Sequence, residues 1–188
     1  MTDVALLKKE AKNKKTSPSR LEELARHADS SVQLAVAGNP NTPSATLENL
    51  GRSTKLSLLK AVARHGNTPL PVLERLARHQ QVTVRLAVAV TESPFITEAM
   101  AFQLLSDADE GVRYAVLPIP WRPRVNWNAS ALFDLAAKDS SPLVRRRVAL
   151  YCNDPTILQR LLSDPDWAVV ADCLGNPLLT ASAIRCWM

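Results

Sequence analysis

Aspartate side chains recur between the apolar segments of this 188-residue sequence, and paired carboxylates could serve as general acid and base. The aspartates that share this place in the pattern are Asp29, Asp107, Asp109, Asp139, Asp164 and Asp166. An Asp just before a helix also accepts hydrogen bonds from the helix N–H groups and suits the helix dipole. Because the aspartates recur with the pattern, the sequence favours N-capping over catalysis.

Histidine and cysteine, the common ligands of transition metals, are few and widely spaced. His27 and His79 each follow Ala-Arg and lie 52 residues apart, too far for a shared metal, so each is expected at a helix C-terminus. Cys152, Cys173 and Cys186 lack CxxC spacing, which indicates reduced thiols. Cys173 occupies an apolar position of the pattern and is predicted to be a buried core thiol. The sequence therefore predicts no metal and no cofactor.

These groups are spaced by a pattern that recurs about every 26 residues. Ser17-Pro18, Thr42-Pro43 and Thr68-Pro69 each precede a leucine-containing segment, and a second apolar cluster follows each segment. The first apolar residues of the second clusters are Val32, Leu58, Val84, Val112, Val144 and Val169. A period of this length is typical of a solenoid, in which each repeat packs on its neighbours. The sequence thus predicts an all-α solenoid of about six helix–helix repeats.

One repeat shows how the helices are expected to form. Thr42 is predicted to be an N-cap, and Pro43 suits the first helical position, where an N–H is not needed. Leu47 and Leu50 lie on one helical face, and Gly51 lets the helix end or approach a neighbour. Helices this short are unstable alone in water, so stacking must stabilise them.

Several stretches of the sequence resemble the leucine-rich repeat variant (LRV) family. They are Val32–Ala37, Asn39–Pro43, Asn67–Pro69, Leu73–Arg78 and Val84–Ala89. The resemblance is good over about residues 17–94 and weaker over 95–185. It implies a right-handed superhelix related to armadillo and HEAT arrays, in which α-helices alternate with short 3₁₀ or α-helices.

The resemblance also bears on cofactors and function, whereas charge and repeat spacing predict the domain organisation. One type of LRV protein carries an N-terminal cysteine cluster with an iron–sulphur centre, but the first cysteine here is Cys152, so that cofactor does not carry over. The family supplies no catalytic residues and implies an interaction scaffold. Residues 1–16 are expected to form a basic segment or capping helix, and residues 17–188 a single solenoid with an insertion loop at about 117–128.

Most of the net charge of +5 lies at the N-terminus. Residues 1–20 hold six basic and two acidic side chains, a net charge of +4, and the rest of the chain carries +1. A basic segment could bind nucleic acid or another acidic partner. A solvated first helix would have the same composition, and this second interpretation is favoured because net charge speaks to non-specific association.

The insertion between the fourth and fifth repeats is the first break in the pattern. Residues 117–127 contain three prolines, which favour a stiff extended loop. The loop also holds Trp121, Arg122, Arg124 and Trp127, residue types enriched in binding hot spots. The tryptophans are expected either to contact a ligand or to cover a gap between repeats.

The second break in the pattern is a pair of charged residues at a position that holds a small residue in the earlier repeats. The second clusters carry alanine at Ala35, Ala61, Ala87 and Ala115, but Arg147 and Asp172 in the last two repeats. Because equivalent positions stack side by side, Arg147 and Asp172 are predicted to form an ion pair; the alternative is that both reach solvent. With Arg145, Arg146 and Trp167 they form the second candidate binding surface.

The expected function is a non-enzymatic, cytoplasmic protein-interaction scaffold that binds a protein or peptide. No apolar run approaches a membrane span or a signal peptide, and no nucleophile–base, phosphate-loop or metal motif is present. The alternative is a nucleic-acid-binding HEAT-like array similar to the alkylpurine DNA glycosylases. That function would require the Lys8–Lys15 segment, Arg122, Arg124 and Arg145–Arg147 to share one face. Trp121 or Trp127 would contact a base, and an Asp such as Asp134 would assist. The nearly neutral remainder of the chain counts against it.

Overall fold

The computed structural model describes residues 3–91, 93–117 and 129–179, and all regular secondary structure in them is α-helical. The helices are α1 (Val4–Lys12), α2 (Pro18–Ala25), α3 (Ser30–Ala37), α4 (Ser44–Leu50), α5 (Leu56–Arg64), α6 (Leu70–Ala77), α7 (Val82–Ala89), α8 (Glu98–Leu105), α9 (Glu110–Val116), α10 (Ala129–Ala136), α11 (Pro142–Tyr151), α12 (Pro155–Leu161) and α13 (Trp167–Leu174). Of the insertion expected at about 117–128, residues 118–128 lie outside the described residues.

The helices divide into two compact units, Met1–Ile96 with α1 to α7 and Thr97–Met188 with α8 to α13. After α1, helices alternate between a first and a second helix of each repeat. In the first unit α1 and the second helices stack in sequence, α1 on α3, α3 on α5 and α5 on α7. In the second unit α9 packs on α11 and α11 on α13. Within each unit, neighbouring repeats therefore contact each other, as expected for a solenoid.

The predicted apolar positions form the core of both units. The first residue of each second apolar cluster has at most 1% of its surface exposed; these residues are Val32, Leu58, Val84, Val112, Val144 and Val169. Burial of such a side chain contributes roughly 1.5–3 kcal/mol. The helices are only seven to ten residues long, so this stacking must supply the stability that they lack alone. The predicted all-α repeat solenoid, with short α-helices as the second helices, is confirmed.

The capping role predicted for Thr42 is wrong. Its buried hydroxyl donates backwards to the carbonyl of Val36, at 2.6 Å, and Thr68 donates in the same way to Val62 at 2.6 Å. Pro43 itself is the N-cap residue of α4, in extended conformation and without a side-chain cap. Threonine therefore satisfies a carbonyl at the end of the preceding second helix.

Gly51 marks a close approach between helices, as the sequence predicts. A Cβ added there would lie 2.9 Å from Val72 Cγ1 and 3.1 Å from the carbonyl of Leu47. The Arg75 guanidinium also donates to the carbonyl of Gly51, at 3.0 Å. Only glycine leaves room for both neighbours without displacement.

Helix α1 is docked on the repeat that follows it. Leu7 and Ala11 are buried, and the buried Asn39 amide donates to the carbonyls of Ala11 and Asn13 at 2.7 and 2.9 Å. This amide satisfies carbonyls at the C-terminal end of α1. Within the basic N-terminal segment, α1 thus takes the place of a second helix beside α3.

Candidate interaction surface

The loops between first and second helices use their polar side chains to form turns. In each loop one side chain accepts the backbone N–H two residues later, at 2.8–3.1 Å. These side chains are His27, Ser53, His79, Asp107, Asp139 and Asp164. Such Asx-type turns order a short loop. The two histidines thus have structural partners, as expected, although the partner is a backbone N–H beyond the helix end.

Only some of the recurrent aspartates are N-caps. Asp29, Asp109 and Asp166 cap α3, α9 and α13 through hydrogen bonds to backbone N–H groups, so capping is confirmed for these three. For Asp107, Asp139 and Asp164 the prediction is wrong, because each lies two residues before the cap and forms the loop turn.

Asp139 and Asp164 also bind arginines of the preceding repeat in half-buried bidentate pairs. Arg113 reaches Asp139 at 2.7 and 2.8 Å, and Arg145 reaches Asp164 at 2.7 and 2.9 Å. The hydrogen bond from Arg145 lowers the pKa of Asp164. For Asp139, burial favours the neutral acid, but the hydrogen bonds from Arg113 and Ser141 outweigh it, and the pKa is lowered. These carboxylates therefore link adjacent repeats.

The predicted pair between Arg147 and Asp172 is wrong, because Asp172 pairs with Arg146. The distance from Arg146 Nε to Asp172 Oδ2 is 2.7 Å. Arg147 instead lies in the core, with 7% of its surface exposed, and its guanidinium stacks 4.2 Å from the ring centroid of Tyr114. Its Nη2 donates to the carbonyl of Leu117 at 3.3 Å, and its buried Nε has no hydrogen-bond partner among the described residues. The alternative that both charges reach solvent is therefore also wrong for Arg147.

The sequence-predicted site residues are not gathered into one basic patch in the described part of the chain. Arg145 and Arg146 are neutralised by aspartates, and Arg147 is buried. Trp167, the first residue of α13, is 72% exposed. Trp121, Arg122, Arg124 and Trp127 lie outside the described residues. The two candidate surfaces stay predictions.

The two described cysteines are core thiols. Cys152 and Cys173 are buried, and burial raises the pKa of both, so the prediction for Cys173 is confirmed. Cys186 lies outside the described residues. Within the ranges that the structure covers, no three His, Cys, Asp or Glu side chains are grouped to hold a metal ion. None of the described helices combines the length and apolar character needed to cross a bilayer.

The structure reveals a basic surface that the sequence analysis missed. Lys8 and Lys12 on α1 lie 52 residues before Lys60 and Arg64 on α5, so the two pairs occupy equivalent positions two repeats apart. Helix α3 packs between α1 and α5 and has no charged residue. We call Lys8, Lys12, Lys60 and Arg64 the basic face.

The four cations of the basic face form no ion pairs among the described residues, although the charge of Lys8 interacts with the Asp29 carboxylate. In the described part of the chain, none of its four side chains has an ion pair within 4.0 Å. Helices α3, α5 and α7 contain no Asp or Glu. The first unit has fourteen Lys and Arg against eight Asp and Glu, a net charge of +6, whereas the second unit carries −1. The positive charge of the protein is thus concentrated in the first unit.

A groove runs between the C-terminal ends of α3 and α5, with a volume of about 530 Å³. It is lined by Ala37, Gly38, Pro40, Ala61, Arg64, His65, Gly66 and Asn67. Most of its side chains are small, and its charged residue is Arg64 of the basic face. We call it the Gly38–Gly66 groove.

Two other grooves carry charges that are already paired. In the groove between α2 and α4, Arg26 pairs with Glu22 at 2.7 Å. In the groove between α10 and α12, Asp134 pairs with both Arg160 and Lys138, at 2.6 and 2.8 Å. The Asp134 carboxylate is thereby held by two cations, and their hydrogen bonds lower its pKa.

Stacked helix pairs joined by hydrogen-bonded loops define the chain as a helical repeat protein. Comparison with solved structures finds similarity to "a leucine-rich repeat variant with a novel repetitive protein structural motif", at 29% sequence identity and a TM-score of 0.64. The match covers 87% of this chain and 63% of the other, so the chain spans less than two thirds of that protein. The predicted resemblance to the LRV family is confirmed. No family model and no curated protein matches the sequence.

Proposed function

We propose that the chain is a non-enzymatic cytoplasmic scaffold that binds a partner protein on the basic face of its first unit. The observation that carries the proposal is the set of four unpaired cations on stacked helices, in a fold that neutralises Arg113, Arg145 and Arg146 with aspartates. Unpaired surface charge steers association with a partner of opposite sign. The buried, unpaired thiols Cys152 and Cys173 favour the reducing cytoplasm.

A protein partner is favoured over nucleic acid by the composition of the first unit. Residues 1–94 contain no Phe, Tyr or Trp, so the basic face lacks the large aromatic rings on which bases commonly stack. The nucleic-acid alternative also required Arg145–Arg147 as free cations, and Arg145 and Arg146 are paired while Arg147 is buried. Basic surfaces also bind duplex phosphates, so the experiment below includes a test for nucleic acid.

Affinity capture with a paired set of variants tests this function. The immobilised wild-type protein is compared with Lys60→Ala/Arg64→Ala, and captured proteins are identified by mass spectrometry. The control is Arg26→Ala/Arg52→Ala, which also removes two positive charges from the first unit. In the control these charges belong to side chains paired with Glu22 and Glu48. We expect the same partners with the wild type and control and their loss with Lys60→Ala/Arg64→Ala.

Two results would contradict the proposal. Equal recovery of the same partners by both double variants would show that the basic face does not bind them. Loss of all partners after nuclease treatment of the lysate would show that nucleic acid bridges them, and would favour the alternative function.

A further inference from the structure

The floor of the Gly38–Gly66 groove is held rigid by side chains that bond across repeats. His65 Nε2 lies 2.8 Å from the carbonyl of Asn39, and His65 Nδ1 accepts the N–H of Asn67 at 3.0 Å. The Asn67 amide donates to the carbonyls of Pro40 and Thr42, both at 3.2 Å. A groove fixed in this way does not need to be ordered when a ligand enters, which lowers the entropic cost of binding.

The spacing of the cations defines the length of chain that could reach them. Lys12 and Arg64 lie at equivalent positions on α1 and α5, with α3 between them. Packed helices are about 8–10 Å apart, so two steps span about 16–20 Å. An extended peptide rises about 3.3 Å per residue, so about six residues cover that distance.

We propose that the Gly38–Gly66 groove binds an extended acidic segment of about six residues, with its carboxylates on Arg64 and Lys12. This inference rests on the proposed function and names its ligand. Arg64 supplies a planar donor that can bind a carboxylate bidentately. The small residues Ala37, Gly38 and Ala61 let the peptide backbone approach the helices.

Gly66 allows a steric test that leaves the fold alone. A Cβ added at Gly66 would meet no atom within 4 Å, and the residue lines the groove. A large side chain at this position therefore projects into open space that the peptide would occupy. Gly66→Phe should block the groove without a clash inside the protein.

Fluorescence anisotropy of labelled hexaglutamate at low salt tests the charge of the site. We expect wild-type binding, no binding of hexaglutamine, and at least a tenfold weaker affinity for Arg64→Glu. The matched control is Arg78→Glu, because Arg78 is exposed at the end of α6, lies outside the groove and has no ion pair in the part of the chain that the structure describes. It changes the net charge by the same amount and should weaken binding less than threefold.

The same titration with Gly66→Phe tests the groove itself. We expect at least a tenfold loss of affinity, with circular dichroism and thermal unfolding like those of the wild type. Triglutamate should bind at least tenfold more weakly than hexaglutamate, because it cannot reach both cations. The proposal would be overturned if Arg64→Glu and Arg78→Glu weakened the affinity for hexaglutamate equally, or if Gly66→Phe left that affinity unchanged. Either result would show diffuse electrostatic attraction rather than binding in the groove.

A duplex DNA of twelve base pairs serves as the competing ligand. Tighter binding of the duplex than of hexaglutamate, lost in Arg64→Glu, would overturn the acidic-peptide proposal in favour of phosphate binding. The two proposals fail separately. If partner proteins are captured through the basic face but hexaglutamate does not bind, the scaffold proposal stands and the acidic-segment proposal falls.

Discussion

Arg147 shows how a single residue can carry charge in the core without a carboxylate partner among the described residues. The equivalent position holds alanine in the four earlier repeats. The Arg147 guanidinium stacks on the ring of Tyr114, and the ring centroid of Tyr151 lies 5.8 Å from it. Cation–π contact and one carbonyl bond offset part of the cost of removing the guanidinium from water. The packing of this side chain is therefore expected to matter more than its charge.

Substitution of Arg147 separates these two effects. Arg147→Ala should lower the free energy of unfolding by about 2–4 kcal/mol, because it removes the stacking and leaves a cavity. Arg147→Met keeps most of the side-chain volume and removes the buried charge, so its free energy of unfolding should lie within about 1 kcal/mol of the wild-type value. Chemical denaturation measures both. A Met variant as unstable as the Ala variant would show that the charge itself is required.

The pair between Arg145 and Asp164 should make stability depend on pH. Because the folded-state pKa of Asp164 is lowered, its contribution is fully present above the unfolded pKa of about 3.9 and is lost as pH falls through the folded pKa. Asp164→Asn should therefore lower the free energy of unfolding by about 3 kcal/mol at pH 7. The difference from the wild type should narrow below about pH 4. A loss in the free energy of unfolding that is the same at pH 3 and pH 7 would contradict this prediction. The control is Asp172→Asn, which breaks the more exposed pair with Arg146 and should lower the free energy of unfolding by less than about 1 kcal/mol.

At the level of elements, short helices persist because side chains join each one to the next repeat. Helix α1 has nine residues, too few to be stable alone, and its C-terminal carbonyls bond to the Asn39 amide. Asn39 also orders its own turn by accepting the N–H of Asn41 at 2.9 Å. One buried side chain of the following repeat therefore contributes to the docking of α1, together with the burial of Leu7 and Ala11.

Removal of the Asn39 side chain should release α1 before the rest of the first unit. Asn39→Ala removes the amide hydrogen bonds to the carbonyls of Ala11 and Asn13. We expect α1 amides to exchange with deuterium at least tenfold faster, while α5 and α7 change little. Hydrogen exchange with mass spectrometry resolves these peptides. Asn49→Ala, at an exposed position of α4, is the control and should leave α1 protected. Unchanged protection of α1 in Asn39→Ala would show that burial of Leu7 and Ala11 is sufficient.

Two glycines of the first unit should respond oppositely to alanine. Gly51→Ala forces a Cβ to 2.9 Å from Val72, so it should lower the free energy of unfolding by about 1–3 kcal/mol. Gly66→Ala meets no neighbour and restricts the unfolded chain, so it should be neutral or stabilise by up to about 1 kcal/mol. Thermal unfolding of the two variants gives the comparison. Similar losses in both would contradict the difference in packing.

For the whole molecule, the sequence period predicts which helices become neighbours but not which side chains meet. The period places α11 beside α13, yet three consecutive arginines point in three directions, so Arg146 rather than Arg147 reaches Asp172. A threonine hydroxyl can bond forwards or backwards, and the sequence does not distinguish these for Thr42. The basic face could have been found, because Lys8 and Lys12 share the repeat register of Lys60 and Arg64. Counting charge along the chain conceals that register.

Nearest-neighbour packing should also govern how a local defect spreads through the molecule. Val32 of α3 and Val169 of α13 are both fully buried at equivalent positions, so alanine at either should cost about 1–3 kcal/mol. In a solenoid each repeat is stabilised by its neighbours, so the loss should stay near its origin. We expect Val169→Ala to accelerate hydrogen exchange mainly in α11 to α13, and Val32→Ala mainly in α1 to α5. If either variant accelerated exchange equally in both units, the chain would unfold as a single cooperative body, and the local character of the repeat contacts would not control its stability.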